Sequence, residues 1–266
     1  MNSAVELSAI EPENTLIRFE QPLTERLRTF LRVELLYGQT LFHIDDPSDF
    51  GARAAVSGLL EIVTILGRGD VRADVFKELE RHAELLAKYR SQPGVDPSRL
   101  TQLIEDIEEL RERLAGAGPH LMNPLKECDF LSAIRHRSAI PGGTCTFDLP
   151  DYGYWLSLPG HERRRQLEEW ADRLQPLCDA VAEVLWLTRE ATEPEEAIAP
   201  AGLYQRSFDR NEQVNLVRVL VPSDAGIYPE ISAGQHRFTV RFVRWRGVDA
   251  RPTQVTQDVH FLLAIC

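Results

Sequence analysis

The stretch RFTVRFVRWR, residues 237–246, decides how the carboxy-terminal part of this chain is read. Alternate residues of a strand face opposite sides. Arg237, Thr239 and Arg241 therefore share one face, and Phe238, Val240 and Phe242 the other. One face is apolar and fit for a core, while the other is cationic. At Val243 the alternation slips and Arg244 and Arg246 take over the parity of the phenylalanines, which predicts a bulge or the end of the strand there.

Working outward from this strand, the pattern from residue 200 onward continues as strands: LYQRSF, QVNLVRVLV, FTVRFVRW and DVHFLLAI, separated by Pro, Gly, Asp and Asn. Upstream the period changes to that of amphipathic helices. PLTERLRTFLRVELLYGQTLF begins with Pro22 and places Leu23, Leu27, Phe30 and Leu31 on one face. SDFGARAAVSGLLEIVTILGRGD follows, with Ser48 or Asp49 as cap and Gly67 and Gly69 as stop signals. DVRADVFKELERHAELLAKYR reads as a third helix, and Asp96-Pro97 and Asn123-Pro124 open a fourth and a fifth. The apolar stripe of the fourth, from Leu100 to Leu114, fits either an αα-hairpin with the third or a pairing surface between subunits.

IPGGTCTFDLPDYGYWLSLPG interrupts the helical period, and Thr144–Leu149 and Tyr154–Leu158 read as two strands around Pro150. HERRRQLEEWADRL and, after Pro176, LCDAVAEVLWLTREA resume as helices. The expectation is an α+β fold: a mostly helical domain, then an antiparallel β-strand domain that also takes the central segment. In residues, 1–16 form a flexible tail, 17–143 and 160–198 the helical domain, and 144–159 with 199–266 the β domain.

Composition narrows function. The chain has 266 residues, 43% of them hydrophobic, and a net charge of -11. No apolar run approaches the roughly 18 residues of a membrane span, and MNSAVELSAIEPEN lacks the features of a signal peptide. These features predict a cytoplasmic protein with no membrane insertion. The four cysteines are scattered without metal-ligand spacing and are expected to be reduced and mostly buried. Residues 200–266 hold eight arginines against six acids, whereas residues 1–199 hold 22 basic and 35 acidic groups, a balance of -13. An acidic body with a mildly basic end argues against general nucleic-acid binding and permits a narrow site for an anionic partner.

The chemical motifs are weak. PGGTCTF lacks the Lys of a phosphate loop and precedes no predicted helix, and Cys145 has no evident His base, so a turn before a strand with a buried Cys is the preferred reading. His43 with Asp45 and Asp46 sits at a helix end, where short polar residues commonly make turns rather than metal sites. No catalytic pair, metal or cofactor is expected. What remains is a cationic surface in which Arg237 and Arg241, with Arg218 on the neighbouring LVRVLV, use guanidinium forks to grip carboxylates.

Five blocks in order carry a resemblance: FEQPLTERLRTFLRVELL, GRGDVRADVFKELER, PGVDPSRL, IPGGTCTFDLP with WLSLP, and YPEISAGQHRFTVRF, spread over residues 19–242. Together they resemble the bacterial cell division proteins of the ZapD family. The resemblance implies a non-enzymatic homodimer at the midcell division ring, which binds the carboxy-terminal tail of the tubulin-like GTPase FtsZ and bundles its filaments. It further implies dimerisation through the helical domain and partner binding through a basic site on and beside the β domain. Arg237 and Arg241 match that site best, followed by Arg218, with Arg68, Arg135 and Arg137 as candidates from the helical domain. PLKECDF is less basic than the resemblance implies. The alternative is a nucleic-acid-binding regulator using the same arginines, and the acidic body disfavours it.

Overall fold

The computed structural model describes residues 16–209, 214–234 and 236–266. The expected tail of residues 1–16 lies, except for Leu16, outside them. The fold is α+β, and the chain divides into two compact units, Thr29–Trp186 and Met1–Arg28 with Leu187–Cys266.

The first unit is built from helices α1 (Glu25–Ile44), α2 (Asp49–Leu66), α3 (Val71–Lys88), α4 (Pro97–Gly116), α5 (Asn123–Lys126), α6 (Asp129–Ser138), α7 (Pro150–Leu156) and α8 (Gly160–Glu190), with the outer ends of α1 and α8 counted in the second. Short polar side chains start them by accepting from otherwise unpaired backbone N–H groups. Thr24 Oγ1 accepts from Leu27 N at 3.2 Å, Ser48 from Gly51 N at 2.9 Å, Asp70 from Ala73 N at 3.0 Å, and Asp96 from Ser98 N at 2.9 Å. On α4, Leu100, Ile107 and Leu114 are buried within the chain, and the helix packs on α3. The structure thus contains the αα-hairpin read from that stripe.

Three expectations are corrected here. Residues 144–149 form turns, not a strand, and the segment read as a second strand lies mostly in α7. Tyr152, Trp155 and Leu156 stand at i, i+3 and i+4, and all three are buried. Helical spacing outweighed the strand preference of the aromatic residues. Pro150 at the first helical positions suits this start. Tyr152 and Trp155 meet Phe130 of α6 at 5.9 Å, and Trp155 stacks on Trp170 of α8 at 6.0 Å. Pro176 also does not divide two helices: α8 runs through it, one backbone bond short, with Leu174 and Leu177 buried on either side. Finally, Asn123 opens only the four-residue α5 and makes no side-chain cap.

The second unit is a two-sheet sandwich of β1 (Leu16–Pro22), β2 (Glu195–Ala199), β3 (Leu203–Ser207), β4 (Leu216–Pro222), β5 (Ile227–Ala233), β6 (Arg237–Arg244), β7 (Thr253–Gln254) and β8 (Val259–Ile265). One sheet has the order β1-β4-β8-β2; the other is β3-β6-β5, with β7 paired to the end of β6. All pairs are antiparallel. The segment that joins the sheet from elsewhere in the chain is thus β1, placed above, apart from Leu16, in the helical domain, and not residues 144–159. Val217, Val219 and Val221 of β4, Val259, Phe261 and Leu263 of β8, and Phe238, Val240 and Phe242 of β6 form one buried cluster. Period-two alternation supplies these inward faces. Gly202, between β2 and β3, has φ +73°, and a Cβ there would lie 2.3 Å from the Val255 carbonyl oxygen, so only glycine fits.

Candidate functional site

The middle strand of the second sheet, β6, carries the RFTVRFVR alternation. Phe238, Val240 and Phe242 are fully buried, while Arg237 and Arg241 are exposed on the opposite face. The parity reading holds through Phe242. No bulge forms: the β5–β6 register runs unbroken from Ala233↔Phe238 to Ile227↔Arg244, where the strand ends.

Registry builds the outer face around the two arginines. Arg237 stands opposite Ser207 of β3; Thr239 lies between Gln205 and Ser232; Arg241 lies between Leu203 and Glu230. Arg237 and Arg241 are four residues apart along one strand, roughly 13 Å at about 3.3 Å per residue. Arg237 has no side-chain hydrogen bond or ion pair among the described residues. The Arg241 guanidinium is held by Glu230, with Nε donating to Oε2 at 3.0 Å and a second nitrogen on the same oxygen. Both partners stay about half exposed, so water screens the pair. This surface offers two guanidinium forks at fixed spacing, separated by hydroxyl and amide groups, on a backbone locked by strands on both sides. It can bind carboxylates of an extended chain. Glu230 was not anticipated, because only the β5–β6 register places it beside Arg241.

Arg218 belongs elsewhere. It lies on β4 of the first sheet, its side chain is 8% exposed, and it donates to the Arg189 carbonyl oxygen at 2.7 Å. Its Nε is 3.6 Å from Glu20, which also takes a bidentate pair from Arg189 at 2.9 and 2.8 Å. A buried guanidinium and a partly buried one share one carboxylate. The sequence could not show this, since Glu20 and Arg189 come from segments far from β4.

In the helical unit, Arg68 follows the end of α2, and Arg135 lies on α6; both line a cavity of about 430 Å³ with Glu61 and Thr64. On its other side Arg68 lines a second cavity, of about 450 Å³, with Arg72 and Lys126. Arg72 is occupied: it donates to the Leu114 carbonyl oxygen at 3.2 Å and lies over the Phe76 ring. Arg137 is set apart, 3.6 Å from Asp148. Lys126, from the segment read as less basic than the resemblance implies, was not among the candidates and lines this cavity.

The remaining candidates have structural duties. Asp46 accepts from Ser48 N at 2.9 Å, a bond that holds its carboxyl below the usual range, and Asp45 pairs with Arg164 at 2.8 Å. They shape the α1–α2 turn. Of the four free cysteines, only Cys178 is buried, and burial raises its thiol pKa; Cys145 is exposed on a turn, contrary to expectation.

Helices in one unit, an antiparallel sandwich in the other and clustered surface arginines define an α+β protein whose distinctive chemistry lies on its surface. Residues 31–241 match the family model of the cell division protein ZapD. The Cell division protein ZapD of Methylococcus capsulatus (strain Bath) is 35% identical over 250 residues, covering 94% of this chain and 98% of that protein. The chain belongs to the ZapD family of cell division proteins.

Proposed function

We propose that this cell division protein acts as a filament cross-linker: a homodimer, each copy of which grips the carboxy-terminal tail of FtsZ and thereby bundles filaments at the midcell ring. The observation that carries the reading is the outer face of the second sheet, where Arg237 and Arg241 stand exposed on a rigid strand of an otherwise acidic chain. An extended, acid-bearing tail lying along β6 would meet both forks. Arg68 and Arg135 form a second cationic group in the same proposal, with Arg137 at its margin; Arg218, buried under its own ion pairs, supports the sheet instead. Two modest sites on one dimer raise avidity between neighbouring filaments without new contacts. Such a device requires no catalysis and acts in the cytoplasm. Among the described residues no single helix is long and apolar enough to cross a membrane.

The test is titration of the full chain with a synthetic FtsZ tail peptide, alongside sedimentation of FtsZ filaments. Arg237→Glu with Arg241→Glu is expected to abolish peptide binding and bundling while leaving the fold intact. Undiminished binding removes these residues from the site. Binding to nonspecific DNA at low salt, with none to the peptide, returns the arginines to the nucleic-acid reading.

A further inference from the structure

The sheet that carries Arg237 and Arg241 has two outer strands, β3 and β5, and their free edges differ. In an antiparallel ladder, alternate residues turn their backbone N–H and C=O groups toward the neighbouring strand and away from it. Phe208 N donates to the His236 carbonyl oxygen at 2.9 Å, which fixes that alternation on β3: Tyr204 and Arg206 bond to β6, while Gln205 and Ser207 turn their backbone groups outward. Both residues are exposed, and those groups have no partner among the described residues. On β5, Trp245 N donates to the Gly226 carbonyl oxygen at 3.0 Å, so Ile227, Pro229 and Ile231 are the residues turned outward. Pro229 has no N–H to offer, and the β5 edge is blunted at its centre. β3 contains no proline, and Tyr204 pins it to the core, with its ring 5.9 Å from that of Phe238 and 5.5 Å from that of Phe261. The β3 edge is an open template held in place.

The two sides of that edge differ in chemistry. On the outer face the row nearest the edge is Leu203, Gln205 and Ser207, and behind it stand Arg241, Thr239 and Arg237. On the inner face a cavity of about 340 Å³ lies between β2 and β3, lined by Tyr204, Ala197, Leu263 and Ile265 together with Glu195 and Glu196. From these features we infer that an extended acidic peptide adds to β3 as a further strand of this sheet, its backbone closing a ladder on Gln205 and Ser207, its acids on the outer face and apolar residues on the inner one. The added strand runs two strand spacings from β6, roughly 10 Å. Arg237 reaches toward it over nothing longer than the Ser207 side chain opposite. Acids on the inner face meet Glu195 and Glu196 instead, so the two faces together select which parity of the peptide carries the charge. Main-chain bonds supply the affinity and alternate side chains the specificity. The cationic row behind the edge disfavours a second copy of the same edge as the occupant. The inference rests on the proposed function for the source of the peptide, the FtsZ tail; the edge and the parity rest on the sheet itself.

Titration of the full chain with synthetic FtsZ tail peptides, each methylated on one backbone amide, tests it. Methylation at every second amide of the bound stretch is expected to weaken binding by about tenfold, and methylation at the amides between to leave it within about twofold, a period of two that only a strand ladder produces. Gln205→Pro removes one outward donor without touching the bonds to β6; it should weaken binding by about tenfold with an unchanged circular dichroism spectrum. Amide exchange of the wild type needs no variant: bound peptide should slow the Gln205 and Ser207 amides by about tenfold or more and leave those of Ile231 and Ala233 unchanged. A peptide that binds, loses its affinity with Arg237→Glu and Arg241→Glu, yet shows no period of two and no protection at Gln205 and Ser207, overturns the strand addition and leaves the proposed function standing. Protection at Ile231 and Ala233 instead overturns the choice of edge. Protection of Gln205 and Ser207 that grows with protein concentration in the absence of peptide assigns the edge to a second copy and overturns the inference. A wild type that binds no tail peptide overturns the proposed function and the inference together.

Discussion

Arg218 on one sheet and Arg241 on the other each stand directly opposite a glutamate across an antiparallel pair, Glu20↔Arg218 and Glu230↔Arg241. The residue types and the pairing are the same, and the environments are not. The Arg218 and Glu20 side chains are 8% and 18% exposed, whereas those of Arg241 and Glu230 are 51% and 44% exposed. A charge removed from water is costly and must stay paired, so the first pair is tied to the stability of the sandwich. A charge left in water keeps most of its hydration and can exchange partners, so the second is available for binding. Burial, rather than charge or register, separates a structural arginine from one that can recognise a partner.

The sharpest way to break this contrast is to remove the shared carboxylate. Glu20→Ala strands the buried guanidinium of Arg218 and the partly buried one of Arg189 and is expected to destabilise the protein by about 3–5 kcal/mol, read as a fall in the urea midpoint. Glu230→Ala is expected to shift that midpoint by less than about 0.5 kcal/mol. Equal effects would mean that burial does not distinguish the two pairs.

The helical unit extends the test to a titrating group. His82 of α3 is buried beside Arg81, whose guanidinium lies 3.0 Å from its Nε2, and desolvation with that charge lowers its pKa to about 4. The folded state resists protonation that the unfolded chain accepts near its ordinary value of about 6.5. Stability is therefore complete above that value and is lost as pH falls toward 4, by about 3 kcal/mol in all. Urea midpoints measured from pH 7 to pH 4 should show this acid limb in the wild type and a shallower one in His82→Gln. His82 thus repeats, with a neutral imidazole, the cost that Arg218 avoids by pairing.

How far the sequence could anticipate this contrast follows from range. Strand alternation is local, and it correctly separated the buried Phe238, Val240 and Phe242 from the exposed Arg237 and Arg241. Helix caps are local too: Ser48 and Asp96 act as read. The failures involve longer range or competing local rules. Nothing near Arg218 in sequence indicates that Glu20 and Arg189 will close over it, and β5, interrupted by Pro229, did not read as a strand, which hid Glu230. The DYGYWL segment satisfied both an alternating and a helical spacing, and packing against Phe130 and Trp170 decided between them.

On the exposed face the expected effects move from stability to binding. Arg237→Glu alone should weaken affinity for an acidic tail peptide by about tenfold while changing the urea midpoint little, because its guanidinium has no partner among the described residues to strand. The affinity should also fall with added salt, since ions screen exposed charges beyond about 10 Å at 0.1 M. A salt-independent affinity would remove the exposed arginines from the contact.

The smallest effect is also the most specific to the comparison. Glu230 competes with any incoming carboxylate for Arg241, and because the pair is half exposed, that competition is weak. Glu230→Gln keeps the side chain's size and removes its charge, which frees the Arg241 fork and lowers the negative potential along β5. Peptide affinity should rise by a factor of a few, corresponding to the roughly 0–1 kcal/mol of an exposed pair, with stability unchanged within about 0.5 kcal/mol. The same substitution at Glu20 should leave peptide affinity untouched and lower stability, since there the carboxylate holds the buried Arg218 and the partly buried Arg189 on the other sheet. An unchanged affinity in Glu230→Gln would show that Arg241 already lies outside the contact, leaving Arg237 to carry the face.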